Sequence, residues 1–294
     1  MKRKLMKKQL TKFLTGSLLT LAACFIISTP VKASVKDFKT TQTSLKATAD
    51  VTGDGKGDSI KIKYGHSSYD SISKFAIYIN GKKVHTQKFT EPNDVFYLSA
   101  TYAKMSNSKE FIQVIGYGPN GIKEFNTVYQ FDAKKNVLNP VLDLNNNFGS
   151  ADKITAADSK AITVLHQAQP SETGWLSWTY QYVYSKNKLK LINPTSSDVK
   201  SLIGNATSGN NKYSKLFKKN QFVAAKKLSF YNGNKLSYTV TKGKTVTLKK
   251  ITCSDNKMYL QFQYGKKTGW LSVYRTKYDF DNPYFKDVTR RLAG

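Results

Sequence analysis

The residues of this chain whose types and spacing suit chemistry are concentrated in DVTGDGKGD, Asp50 to Asp58. Three carboxylates, Asp50, Asp54 and Asp58, recur at every fourth position around a tight glycine turn. Oxygens at alternate positions of a short loop can wrap a hard divalent cation such as calcium, which takes roughly 6 to 8 oxygen ligands. The expected ligands are the side chains of Asp50, Thr52, Asp54 and Asp58, together with the backbone carbonyl of Lys56. Gly55 supplies the sharp bend, because a residue without a Cβ reaches positive φ at little steric cost. The competing reading of the same residues is an acidic turn that holds no metal.

No catalytic set accompanies that loop. The chain has only three histidines, His66, His85 and His166, with neither H-E-x-x-H spacing nor a Cys/His cluster, so zinc has no support. Neither a G-x-S-x-G elbow nor a phosphate-binding P-loop occurs. The glutamates are Glu91, Glu110, Glu124 and Glu172, and a glycosidase pair drawn from them and the aspartates would be arbitrary, since such pairs are defined by separation in space. If Cys24 is removed with a leader, Cys253 stands alone and reads as a small buried residue of a strand over 247–254.

The elements that must position the loop are strands. Directly after Asp58 the run SIKIKY alternates Ile60 and Ile62 with Lys61 and Lys63, a period of two. In a helical EF-hand the twelfth position, counted from Asp50, carries a bidentate carboxylate, but here it is Lys61, so that reading is disfavoured. Loop into strand instead resembles the calcium loop of FG-GAP or VCBS-type repeats of secreted proteins. Their pattern of acid, any residue, Asn or Thr, Gly, Asp-Gly, two residues and Asp before an apolar strand is matched throughout Asp50 to Asp58. The resemblance implies a calcium-stabilised β domain.

The N-terminal segment predicts export from the cell. Residues 1–33 have a basic head from Lys2 to Lys12, an apolar run from Phe13 to Ile27, Pro30, and small residues at a cleavage site before Ser34, the plan of a secretory signal. Leu21-Ala22-Ala23-Cys24 resembles a lipobox, which makes a lipoprotein anchored through Cys24 the alternative. The formal charge is +28, and the leader holds seven cations and no anions, so its removal lowers that charge by seven. Lysine is spread along the chain rather than gathered in one arm. Such a field favours an anionic surface, and for an exported protein the nearest polyanions are envelope polymers. No nucleic acid is expected as partner.

At 294 residues the chain is long enough for about two domains. Residues 34–45, rich in Ser, Thr and Lys, read as a mobile lead. A β domain is expected over 46–203. It includes a hairpin of 75–79 with 83–88 across Asn80-Gly81, the dipeptide best suited to a type I′ turn, then strands over 95–100, 110–117 and 126–132. Two units repeat: NTVYQF leading through Lys134-Lys135 to VLNP, and WTYQYVY leading through Lys186-Asn187-Lys188 to LKLINP. Each reads as strand, lysine-bearing turn, strand and Asn-Pro stop, and two such hairpins suggest stacked sheets or propeller-blade-like units. Asp143 to Asn147 lacks the Asp-Gly turn and the closing acid, so no second metal is expected there. Trp175, Trp178, Tyr180, Tyr182 and Tyr184 form a stripe that is either an aromatic platform or packing between sheets. Ser196-Ser197-Asp198 can cap a short helical turn reaching Leu202.

A linker of small and polar residues is expected over 204–223, and the pattern changes beyond it. LSFYNG, YTVTKG, TVTL and the segment from Tyr259 to Tyr264 with KKTGWL resemble a bacterial SH3-like domain over 224–278, followed by a tail over 279–294 that can pack back. The Lys242-Gly243 turn and the Gly269-Trp270 pair match that family, whereas Tyr259 stands where its tryptophan is expected. The resemblance implies a small β-barrel that binds cell-wall peptides, and Tyr259, Tyr264 and Trp270 are the residues that could line its groove. The expected fold is therefore mainly β: an N-terminal antiparallel domain, partly propeller-like or a sandwich, followed by a small SH3-like barrel. The expected function is a secreted, non-catalytic, envelope-associated protein that binds anionic wall polymers or peptidoglycan peptides. A cell-wall hydrolase targeted by the SH3-like module, and a protein that recognises a surface protein partner, are the alternatives.

Overall fold

Apolar and polar residues alternate with a period of two along most of the chain, and antiparallel strands are the result. The computed structural model describes residues 32–41, 43–66, 70–89, 95–119, 121, 123–145, 151–203, 213–254, 257–273 and 283–288. The leader, including Cys24, lies outside these apart from Lys32 and Ala33. The account that follows concerns the unit beginning at Ala33.

β1 (Ser34–Asp37) precedes a five-stranded meander of β2 (Lys39–Thr41), β3 (Ser44–Ala49), β4 (Asp58–His66), β5 (Ile72–Ile79) and β6 (Lys82–Lys88). A second sheet takes β1 as its edge and continues through β7 (Tyr97–Lys104), β8 (Glu110–Tyr117), β9 (Lys123–Asp132) and β10 (Val137–Asp143). The third holds β11 (Ala151–Ala157), β12 (Ala161–Ala168), β13 (Leu176–Ser185) and β14 (Lys188–Leu191). β15 (Thr195–Ser196) crosses to the fourth sheet, while β16 (Val199–Ser201) returns to pair with β13. The short helix α1 (Ser214–Phe217) leads to β17 (Gln221–Val223), which pairs with β20 (Thr245–Ser254). β20 continues the fourth sheet through β21 (Lys257–Tyr264) and β22 (Lys267–Val273) to β18 (Leu228–Asn232) and β19 (Lys235–Val240). Among the described residues no helix is long and apolar enough to cross a membrane.

Two cores explain the layering. Ile60, Ile62, Phe75 and Ile77 of the first sheet share one with Leu98, Ile112, Val114 and Tyr129 of the second. From the opposite face of that second sheet Phe111, Val128 and Val141 enter the other core, with Ile162 and Trp178 of the third sheet and Phe222, Phe230 and Phe262 of the fourth. β8 is accordingly buried along both faces up to Tyr117, as expected of a strand covered on each side.

The mainly β, antiparallel reading holds, and the two repeated hairpins are β9–β10 and β13–β14 in contacting sheets. Asn80 and Gly81 turn with φ of 50° and 81° between β5 and β6, as their type I′ reading requires. Three expectations are corrected. Among the described residues the fourth sheet is open rather than closed into a barrel, because its path ends at β19 with no pairing from β19 back to β20. The segment read as a mobile arm carries β1, β2 and the start of β3: β1 pairs with β7 in register from Ser34↔Lys104 to Asp37↔Thr101, so backbone hydrogen bonds order a segment of polar composition. Ser196 to Leu202 forms no helical turn; the Ser196 hydroxyl accepts the Asp198 amide at 3.1 Å and bends the chain between β15 and β16.

Residues 204–212 of the expected linker lie outside the described residues, while 213–223 form α1 and β17 and bury Phe217 and Phe222 completely. From the tail, Phe285 packs back into the core and bridges to Ala224.

Candidate functional site

The acidic loop joins β3 to β4, closed by the pair Ala49↔Asp58. Its amides turn inward onto its own carboxylates. Asp50 accepts the Gly53 amide on Oδ1 at 2.9 Å and the Gly55 amide on Oδ2 at 3.1 Å. Gly53 and Gly55 have φ of 77° and 83°, a region in which a Cβ is strained. Asp54 Oδ1 accepts the Lys56 amide at 2.8 Å at the exposed tip. At the base, Asp58 Oδ2 accepts the Thr52 amide at 2.9 Å, and its Oδ1 accepts Asn80 Nδ2–H at 2.6 Å. Asn80 returns the contact by accepting the Ser59 amide at 2.9 Å, which ties the loop to the β5–β6 turn.

Asp58 is 3% exposed. Burial acts to raise its pKa, but the Thr52 amide and the Asn80 side chain outweigh it and hold the carboxyl below its usual range. Thr52 Oγ1 is buried against that carboxylate without a hydrogen bond of normal geometry. Lys104 of β7 reaches the loop from the second sheet, with Nζ 3.7 Å from Asp50 Oδ2 and 2.5 Å from Glu110 Oε1. Burial pushes the Glu110 carboxyl up despite this lysine. Asp50, Thr52 and Asp58 thus gather at the loop base, whereas Asp54 and Lys56 stand at its tip.

On the fourth sheet the three aromatic candidates divide between faces. Along β21, Met258, Leu260 and Phe262 point to the core, so Tyr259, Gln261 and Gln263 face outward. Trp270 sits opposite Gln261 and also opposite Tyr231, which is 44% exposed. Tyr259, one step along the same face and opposite Ser272, is a diagonal neighbour of Trp270. Tyr264 belongs to the other face and stacks on Tyr238 with centroids 6.3 Å apart. Gly269 makes the packing beneath Trp270 feasible, since a Cβ there would stand 2.8 Å from Phe230 Cβ and 3.2 Å from Ser237 Cβ.

Of the aromatic stripe, Trp178, Tyr180 and Tyr182 are buried core, whereas Trp175 is exposed and Tyr184 half-buried. One polar cluster escaped sequence reasoning. Asp152 of β11, fully buried, accepts Lys123 Nζ on Oδ2 at 2.5 Å and holds His166 Nδ1 at 2.6 Å from Oδ1. The ring of His166 stacks on Trp178, and Gln113 and Asn126 both donate to the Asp152 carbonyl. Asp152, His166 and Lys123 are all buried between the sheets. Cys253 is half-buried, its thiol pushed up to about 12 by burial. His85 has its pKa lowered by burial and packs on Tyr129 at 4.6 Å between centroids.

Among the described residues no three carboxylate, imidazole or thiol side chains form a metal-holding group. Comparison of the chain with protein-family models, with curated proteins and with solved structures found no match.

Proposed function

We propose that the protein is a secreted, non-catalytic binding protein of the cell envelope whose ligand is an anionic wall polymer. The observation that carries this reading is the cation excess: 47 Lys and Arg against 19 Asp and Glu. Much of the excess is solvent-exposed, as with Lys63, Lys74, Lys82, Lys83 and Lys88 on the first sheet. A surface of that kind concentrates a polyanion around itself and is weakened by salt. The fourth sheet is read as the SH3-like module, with Tyr259 and Trp270 beside Tyr231 as its outward aromatic face.

Calcium is proposed as a structural ligand of the FG-GAP-like loop. The buried Thr52 hydroxyl oxygen, which lacks a regular hydrogen bond, and the amide-oriented carboxylates of Asp50 and Asp58 fit a hard cation. Asp50, Thr52 and Asp58 at the loop base would hold it, and its role would be to neutralise the acids and stabilise the hairpin.

The test is sedimentation of the purified protein with cell walls before and after extraction of their teichoic acid. Retention that falls on extraction and on addition of salt is expected. Equal failure to sediment with either wall at low ionic strength would remove the wall-binding reading.

A further inference from the structure

The turns of the two repeated hairpins open on one recess. Lys134 and Lys135 come from the β9–β10 turn, Lys188 opens β14, and Lys109 precedes β8; all four line a cleft of about 670 Å³. Two of them are held in place. Lys188 Nζ donates to the Pro140 carbonyl at 3.0 Å, and Lys109 Nζ lies 5.7 Å from the centroid of the Tyr184 ring. Tyr184 is fixed in turn, its hydroxyl donating to Gln130 Oε1 and lying 3.1 Å from Asn187 Oδ1, and its ring packed on Phe111.

The acid in the lining forms no ion pair with these cations. Asp132 accepts the backbone amides of Lys134 and Lys135 at 3.1 and 3.2 Å, so its carboxylate caps the turn. Among the described residues none of the four lysines makes an ion pair. The recess therefore presents four exposed lysines and one carboxylate, a net excess of cations, around a concave floor. Repulsion among the lysines is relieved when anionic oxygens enter.

We propose that this cleft binds a phosphodiester-linked polyol chain, the four lysines each facing phosphate oxygens. The proposal rests on the wall-polymer reading above and locates its site. A chain of spaced phosphates suits a recess better than a planar array of lipid headgroups does. Binding of single-stranded nucleic acid draws on aromatic rings free to stack with bases. Of the two aromatic rings among the residues lining this cleft, Tyr184 is instead occupied by Lys109 and Phe111, and Phe131 is packed against the core between the first two sheets.

The experiment measures affinity for immobilised poly(glycerol phosphate) by interferometry, with wild type and two quadruple variants of equal charge loss. One carries Lys109→Gln, Lys134→Gln, Lys135→Gln and Lys188→Gln. The control carries Lys74→Gln, Lys82→Gln, Lys83→Gln and Lys88→Gln on the first sheet. All eight lysines are exposed, and thermal melts confirm that both variants remain folded. The expected result is roughly tenfold or greater loss in the cleft variant with a markedly smaller loss in the control. Equal losses overturn the cleft assignment while leaving the general polyanion reading intact. No binding by wild type overturns both. Tighter binding by wild type to an oligonucleotide of the same phosphate count, or to vesicles of anionic phospholipid, overturns the proposal in favour of that ligand.

Discussion

Lys104 Nζ lies 3.7 Å from Asp50 Oδ2, so a cation from the second sheet already stands beside the first acid of the loop. The same ammonium is 2.5 Å from Glu110 Oε1, and the two carboxylates hold its pKa above the usual lysine value although burial acts to lower it. Lys104 is thereby an internal competitor for any divalent cation at Asp50.

Calcium is expected to raise the melting temperature by binding only the folded state. At a hundredfold excess over Kd this linkage amounts to about 2.7 kcal/mol, or roughly 5–10 °C for a unit of this size. Asp50→Ala should remove the response, and Lys104→Met should enlarge it while lowering the calcium-free melting temperature by leaving the buried Glu110 without its lysine. Differential scanning fluorimetry with calcium and with chelator reads all three. An identical melt in both conditions, for every variant, would sink the cation reading and leave Asp50 to Asp58 a self-satisfied turn.

Acid should loosen the same loop through Asp58. Its carboxyl titrates below the usual range in the folded protein, while in the unfolded chain it returns to about 4. The unfolded state then takes up the proton first as pH falls. The stability Asp58 contributes is fully present above about pH 4 and is lost as the pH drops through that value toward the lowered one. Asp58→Asn should be less stable at pH 7 and should show a shallower loss below pH 4. Urea midpoints measured from pH 6 to pH 2.5 check this, and parallel pH profiles of variant and wild type would contradict it.

Much of the β architecture is legible in local sequence because it is set by period and turn chemistry. The run from Glu110 to Tyr117 reads as a strand and is β8, and Asn80-Gly81 marks the turn it makes. β1 is not legible: its side chains are largely exposed, and what places it is main-chain pairing with β7, which leaves no apolar signature. The loop's own amide bonds follow from its glycines and aspartates, but Asn80 and Lys104 come from distant turns and sheets. The lysine cleft was half visible, since the repeat exposes Lys134, Lys135 and Lys188. That the two turns face one recess depends on how the second and third sheets pack.

The pair formed by Lys123 and Asp152 is the clearest instance of a contact without local signal, being 29 residues apart in different sheets. Removing one partner leaves the other as an uncompensated buried charge, a change that costs about 3–5 kcal/mol. Lys123→Met and Asp152→Asn should each destabilise by that order, with Asp152→Asn also releasing His166. The double variant should lose clearly less than the two single losses combined, because neither charge is then orphaned. Urea unfolding of the four proteins gives the coupling; additive losses would show that the two groups act independently.

Gly269 offers a test of the C-terminal sheet that is independent of charge. Its backbone passes so close to β18 that an added Cβ would meet Phe230 at 2.8 Å, inside any normal carbon contact. Phe230 is fully buried, stacked on Tyr238 and packed against Phe262, so it has little freedom to retreat. Gly269→Ala should therefore act as overpacking and destabilise by about 1–3 kcal/mol. Gly233→Ala is the contrast: nothing lies within 4 Å of a Cβ there, and any cost comes from its φ of 59° alone. If β22 separates from β18 under the added methyl, Trp270 loses its place opposite Tyr231, and wall retention should weaken along with stability. Unchanged melting in Gly269→Ala would mean that β22 and β18 do not approach as closely as their packing indicates.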